Sequence, residues 1–269
     1  MVDTPCDRVL CAFGCADPPI RLTGGQGGTW RSGDIVFKPM FDPDGAVWEA
    51  ETLAMLPKIG YRIAEPIRTG DGRWTCEGWT ASRFVEGFCP KGTHLAERLD
   101  ASRTLHADLE SCLRPSHFDR ATDPWDLADR IAFGFTDWTP DPRIAPCLER
   151  FRSLQAPIGT EWQVIHGDLA GNFLLLDRYP PAVIDFTPKW SPHGFGEAVL
   201  GIDVHLWEGV PWESVVSLLS TSERRLLPLA AARRLLEVDT RHKVHHLPDG
   251  VFDQVAAYES LATKIEAQA

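Results

Sequence analysis

The sequence predicts an α+β chain folded as two lobes, a small β-rich lobe over residues 1–84 and a larger, mainly helical lobe over residues 85–269. Three observations predict it. The first third alternates short β-branched and aromatic runs with glycine- and proline-marked turns. Beyond residue 85, apolar residues recur at helical intervals over long stretches. A compact block over residues 161–186 interrupts those helices with apolar, β-branched runs.

In chain order, Ile20-Arg21-Leu22 and Asp34-Ile35-Val36-Phe37-Lys38 flank Thr23-Gly24-Gly25-Gln26-Gly27-Gly28-Thr29, which predicts a glycine-rich hairpin. Asp42-Pro43-Asp44-Gly45 supplies turn and cap residues before a helix over 47–56, where Trp48, Leu53 and Leu56 recur at helical spacing. Pro57 and Gly60 mark its end. Residues 63–84 read as short strands broken at Gly70-Asp71-Gly72, the last an edge strand over 79–84, with Val85-Glu86-Gly87 as the link between lobes. Helices follow over 95–112 and 124–135. In the central block, Val164-Ile165-His166-Gly167-Asp168 and Asn172 read as a loop. The run over 173–176, a Pro180-Pro181 turn and Ala182-Val183-Ile184-Asp185-Phe186 then form a two-stranded hairpin. Helices over 222–240 and 252–267 close the larger lobe.

With 269 residues, 43% of them hydrophobic and 24% charged, the chain can bury a substantial core. A formal net charge of −11 argues against a general nucleic-acid binder, which needs clustered Lys and Arg, and suits a cationic ligand. Neither a basic-then-apolar leader nor a run long enough to span a bilayer is evident, so the expectation is a soluble cytoplasmic protein with no membrane partner. Seven scattered cysteines read as reduced thiols, and Cys6, Cys11 and Cys15 lack the second ligand pair of a zinc site. His242, His245 and His246 read as an exposed turn rather than a metal site.

Several residues match the needs of phosphoryl transfer, which asks a protein to cradle phosphates, neutralise their charge, hold Mg²⁺ and orient a hydroxyl. Backbone N–H groups around Gly24, Gly25, Gly27 and Gly28 can approach phosphate because no Cβ obstructs them; the same composition also makes an ordinary hairpin turn. Lys38 follows at a strand end, where its ammonium group reaches α- and β-phosphates, with Glu49 on the next helix as its carboxylate partner and Glu51 as the rival. Two carboxylates and an amide on consecutive loops suit a hard, oxygen-seeking cation: Asp168 would accept or orient the hydroxyl proton, while Asn172 and Asp185 would ligate metal. His166 either braces the loop through backbone hydrogen bonds or transfers a proton, bracing being the favoured role.

His166-Gly167-Asp168 with Asn172, and Ile184-Asp185-Phe186, resemble the corresponding elements of aminoglycoside phosphotransferases and their choline-kinase and fructosamine-kinase relatives. The order of the glycine loop, Lys38, Glu49, Asp168, Asn172 and Asp185 over residues 20–205 is similar too. The resemblance implies a two-lobed protein-kinase-like fold, ATP (or GTP in its place) and Mg²⁺. It also implies a small-molecule kinase, monomeric or homodimeric, whose acceptor is a hydroxyl on an antibiotic, sugar or amino-alcohol-like metabolite. The chain is also similar to actinobacterial members with a shortened His-Gly-Asp-Leu-x-Gly-Asn loop. That loop is one residue shorter between Asp168 and Asn172 than the family usually has, which keeps open an alternative, a nucleotide-binding kinase-like module with little or no phosphotransfer. Residues 187–192 stand where many relatives have a short glycine-containing turn, and either Asp203 or Glu197 is the later acid that braces the catalytic loop. Trp125, Asp126, Asp129, Trp138 and Trp190 are the candidate lining of an acceptor cleft, although core burial is the commoner fate of each of the ten tryptophans.

Overall fold

A computed structural model describes residues 4–23, 28–120, 123–158 and 161–268. Its β-rich N-terminal part contains α1 (Asp7–Ala12), β1 (Ile20–Arg21), β2 (Trp30–Ser32), β3 (Ile35–Pro39), α2 (Pro43–Met55), β4 (Arg62–Ile63), β5 (Thr75–Cys76) and β6 (Trp79–Arg83). Five of these strands form an antiparallel sheet in the order β1-β2-β3-β6-β5. The two-residue period of a strand decides what β3 does. Ile35 and Phe37 turn to one face, where they pack with Val9, Leu10 and Phe13 of the α1 segment and with Cys76, Trp79 and Ala81. Val36 and Lys38 turn to the other, which borders a cleft.

The helix expected over 47–56 begins earlier, because the Asp42 carboxylate caps it by accepting from the Asp44 N–H at 3.2 Å and Pro43 is preset for the first turn. The expected hairpin also divides: β2 lies between the glycine run and β3, so β1 pairs with β2 and β2 with β3. Trp30–Ser32 is too short for an alternation pattern to mark it.

The C-terminal part is mainly helical: α3 (Leu95–Leu109), α4 (Pro124–Ala132), α5 (Ala145–Ser153), β7 (Trp162–His166), β8 (Phe173–Leu174), β9 (Ala182–Val183), β10 (Pro188–Pro192), α6 (Phe195–Glu208), α7 (Trp212–Leu218), α8 (Thr221–Arg225), α9 (Leu227–His245) and α10 (Val255–Glu266). The segment read as a loop before His166 is strand β7, paired antiparallel with β10. The single helix expected over 222–240 is two, since Ser220 and Glu223 form a capping box for α8 and Pro228 sits in the first turn of α9. β8 and β9 form the expected hairpin, and β4 adds to β9 in parallel, tying the N-terminal part to the loops that follow His166.

The main core runs from Leu53 on α2 to Ile265 on α10 and surrounds α9, which is buried from Leu227 to Thr240. Buried charges within it are paired, as burial requires. None of the seven cysteines is in a disulfide. Among the described residues, no helix is long and apolar enough to cross a membrane, and no group of three or more His, Cys, Asp or Glu could hold a metal.

Candidate active site

A cleft of about 780 Å³ is bordered by β3, α2, the segment after β9 and the start of α4. Lys38 and Glu49 enter it from the N-terminal part, Asp185 from the loop after β9, Lys189 from β10, and Asp123 and Asp126 from α4 and its cap. The Lys38 ammonium donates to Asp185 Oδ1. This corrects the expected Lys38–Glu49 pairing. Asp185 stands at φ +54°, a left-handed conformation that aspartate tolerates better than most residues, and its side chain is 49% exposed at the cleft. Glu49 lies close enough to feel both partners, and burial, more than the neighbouring Asp185, pushes its carboxyl up to about 7 against the opposing pull of Lys38. Glu51 is exposed and does not border the cleft, so Glu49 is the helix acid that faces Lys38.

The loop from His166 to Asn172 is locked by backbone bonds. His166 is fully buried; its Nε2 donates to the Ile184 carbonyl at 3.1 Å and its Nδ1 accepts from the Asp168 N–H at 3.2 Å. Burial lowers its pKa to about 4, so the ring is neutral and braces rather than carries protons. Asn172 Nδ2 donates to the Asp168 carbonyl at 2.7 Å, and the Ile184 N–H donates to the Asn172 carbonyl at 3.0 Å. Asp168 and Asp185 therefore sit on adjoining loops stitched together by one histidine. A Cβ on Gly167 would stand 2.5 Å from Cγ of Lys189, so glycine is required where that lysine crosses the loop.

Both acids proposed to brace the loop do so, by different routes. Glu197 on α6 accepts from Nδ1 of His106 at 2.7 Å and from the Ser102 hydroxyl at 2.6 Å, and His106 Nε2 accepts from the His166 N–H at 3.0 Å. Burial alone would raise the Glu197 carboxyl, but the interactions with His106 and Ser102 bring it down to about 2. Asp203, also on α6, reaches the loop through Arg234 on α9, whose Nη2 donates to Asp168 Oδ1 at 2.8 Å. Ser102, His106 and Arg234 were not read from the sequence. An available signal was Arg233-Arg234 set between the apolar runs Leu229-Ala230-Ala231-Ala232 and Leu235-Leu236, since buried guanidinium groups are there to hold carboxylates.

Of the five residues expected to line an acceptor cleft, Asp126 borders this one, paired with Lys189. Asp129 is buried, 2.7 Å from Arg233 and 3.3 Å from Lys189. Trp138 donates to Asp239 at 2.7 Å, Trp125 packs against His245, and Trp138 and Trp190 both lie against the main core. These four do not border the cleft: ion pairs hold Asp129 inside, and the three tryptophans are half-buried against neighbouring side chains. Gly24, Gly25 and Gly27 lie outside the described residues, and Gly28 leads into β2. For Mg²⁺ the donor set fits: the half-exposed Asp185 carboxylate offers hard oxygens, and Asn172 spends its amide N–H on Asp168, leaving Oδ1 without a bond among the described residues. Mg²⁺ keeps several waters and takes one or two protein ligands beside substrate phosphates, so a larger acidic cage is not required.

No family model matches the chain, and no curated protein matches it. Solved structures do. An aminoglycoside phosphotransferase from Alicyclobacillus acidocaldarius superposes with a TM-score of 0.62 at 13% identity, covering 100% of this chain and 97% of that one. The choline kinase LicA from Streptococcus pneumoniae gives 0.63 at 13% identity, covering 97% of each chain. A spectinomycin phosphotransferase in complex with ADP and spectinomycin gives 0.62 at 12% identity, again covering 97% of each chain. At these identities the likeness shows the fold: this chain has the two-part, protein-kinase-like architecture of those phosphotransferases.

Proposed function

We propose that this protein is a small-molecule kinase that transfers the γ-phosphoryl group of ATP, or of GTP in its place, to a hydroxyl group. The observation that carries the reading is the ion pair between Lys38 and Asp185 across the cleft, with Asp168 on the adjoining loop. A cation and a carboxylate that neutralise each other across the cleft are the two groups that a metal-bound triphosphate needs apart. In this reading Asp185 and Asn172 hold Mg²⁺, which supplies charge neutralisation to the phosphates when bound. Lys38, kept in the cleft beside Glu49, steadies the phosphate oxygens, and the glycine run of Gly24, Gly25, Gly27 and Gly28 is the proposed source of backbone N–H groups for them. Asp168 orients the accepting hydroxyl through its carboxylate and receives its proton.

The acceptor in this reading is an antibiotic, sugar or amino-alcohol-like metabolite met in the cytoplasm by a monomer or homodimer. The fold shared with kinases of such molecules and the acidic cleft border support that class. The likeness to actinobacterial members rests on the shortened loop. A second reading, a nucleotide-binding module with little transfer, draws on that loop and on the arginine already bonded to Asp168. The deciding experiment is ADP release from Mg·ATP across a library of hydroxyl compounds, with D168N and D185N as controls. The kinase reading expects at least one acceptor whose phosphorylation both variants abolish. Nucleotide binding without any Asp168-dependent ADP release would favour the module.

A further inference from the structure

Asp168 itself makes three hydrogen bonds, but two of them hold only its backbone: the N–H on His166 and the carbonyl on Asn172. The side chain has a single partner. Nη2 of Arg234 donates to Asp168 Oδ1 at 2.8 Å, while Oδ2 takes no hydrogen bond among the described residues and the side chain is 49% exposed. The orientation of the carboxylate is therefore set from α9.

Arg234 is suited to hold it still. Its side chain is 4% exposed, its Nε donates to Asp203 Oδ1 at 2.8 Å, Nη2 is shared with Asp203 Oδ2, and Nη1 donates to Glu237 Oε2 at 2.8 Å. A forked, planar guanidinium with this many fixed bonds cannot rotate, unlike a lysine ammonium on a flexible stem. Glu237 Oε2 in turn accepts from Arg233 Nη1 at 2.8 Å, and Arg233 Nε donates to Asp129 at 2.7 Å, so α4 and α6 both buttress the fork. The Trp207 ring lies over the guanidinium at 5.3 Å and is itself 53% exposed, so it covers Arg234 on the solvent side. Asp203 and Glu237 already neutralise the arginine in the interior; the additional bond to a half-exposed loop carboxylate is what the core does not require.

We propose that Arg234 is a positioning residue of the phosphoryl-transfer site: it fixes Oδ1 of Asp168 so that Oδ2 faces the accepting hydroxyl. The proposal rests on the reading of Asp168 as the catalytic carboxylate. A group that sets a reacting atom within an ångström acts on kcat and leaves nucleotide binding alone.

The test is ADP release from Mg·ATP, with the best acceptor of the hydroxyl library and with water alone, normalised to ATP-binding sites. Because Arg234→Gln by itself strands Asp203, the charge-balanced double variant R234Q/D203N is the main one, with R234K as the second. The double variant should lose about 100-fold in kcat with KM for ATP little changed. R234K keeps the charge without the fork and should lose roughly 10-fold. Millimolar guanidinium should restore turnover to R234Q/D203N but not to D168N, and a crystal structure of the double variant should show the Asp168 side chain displaced. A merely structural arginine would lower Tm and leave kcat per binding site unchanged, with Asp168 unmoved; that result overturns the proposal, and R234K decides should the double variant not fold. ADP release that survives D168N overturns the underlying reading instead.

Discussion

The ammonium of Lys38 on β3 is paired with the carboxylate of Asp185 across the cleft, and Glu49 on α2 lies half-buried beside that pair without an ion pair of its own among the described residues. Three charged groups thus share one space with one bond made. In the proposed reading a cation–triphosphate complex would compete for both members of that bond and leave Lys38 free for the phosphates and for Glu49.

Glu49 should report on this arrangement through pH. Burial raises its folded-state carboxyl from the ordinary 4.5 to about 7. With the folded value above the unfolded one, its contribution to stability is full below about pH 4.5 and is lost as pH rises through about 7. Glu49→Gln removes the penalty, so the variant should gain on the order of 2 kcal/mol relative to wild type on going from pH 5 to pH 8. Thermal denaturation at the two pH values measures it; a difference that does not change with pH would contradict the burial argument.

Lys38→Met removes the cation that the proposed reading assigns to the phosphates. Loss of a charge-assisted bond of about 2 kcal/mol predicts roughly 30-fold weaker ATP binding, read by titration calorimetry in the presence of Mg²⁺. Asp168→Asn, by contrast, should leave ATP affinity within a factor of about 2 while kcat falls roughly 1,000-fold. Equal effects of the two variants on affinity would not fit the roles assigned here.

The residues proposed for this site are legible where their signals are local. Lys38 stands on a strand whose alternation turns it away from the α1 face, and Asp168, Asn172 and Asp185 stand at short spacings beside apolar runs. What the sequence did not reveal depends on contacts between distant segments. Lys38 pairs with Asp185 instead of Glu49 because the β8–β9 hairpin carries Asp185 under β3, and His106, Glu197 and Arg234 meet the loop from three separate helices. The boundary between α8 and α9 was missed for a local reason: Leu226 and Leu227 continue the apolar rhythm across the break.

The brace from α6 should be visible at low pH. Glu197 is fully buried and its carboxyl is held down to about 2, below the ordinary 4.5. A depressed carboxylate contributes stability that is full above about pH 4.5 and is lost as pH falls through about 2. Glu197→Gln removes that contribution, on the order of 3 kcal/mol, so the variant should be less stable at pH 6 and lose less on acidification between pH 4.5 and 2. Urea unfolding across that window checks it; parallel acid profiles for the two proteins would contradict the role given to Glu197.

The most direct test of the central claim is a crystal structure with Mg²⁺ and a nonhydrolysable ATP analogue. The account predicts the triphosphate in the cleft, Asp185 drawn off Lys38 and facing the cation together with the Asn172 amide oxygen, and Lys38 on the phosphates. A nucleotide bound elsewhere, with the pair between Lys38 and Asp185 intact, would contradict it.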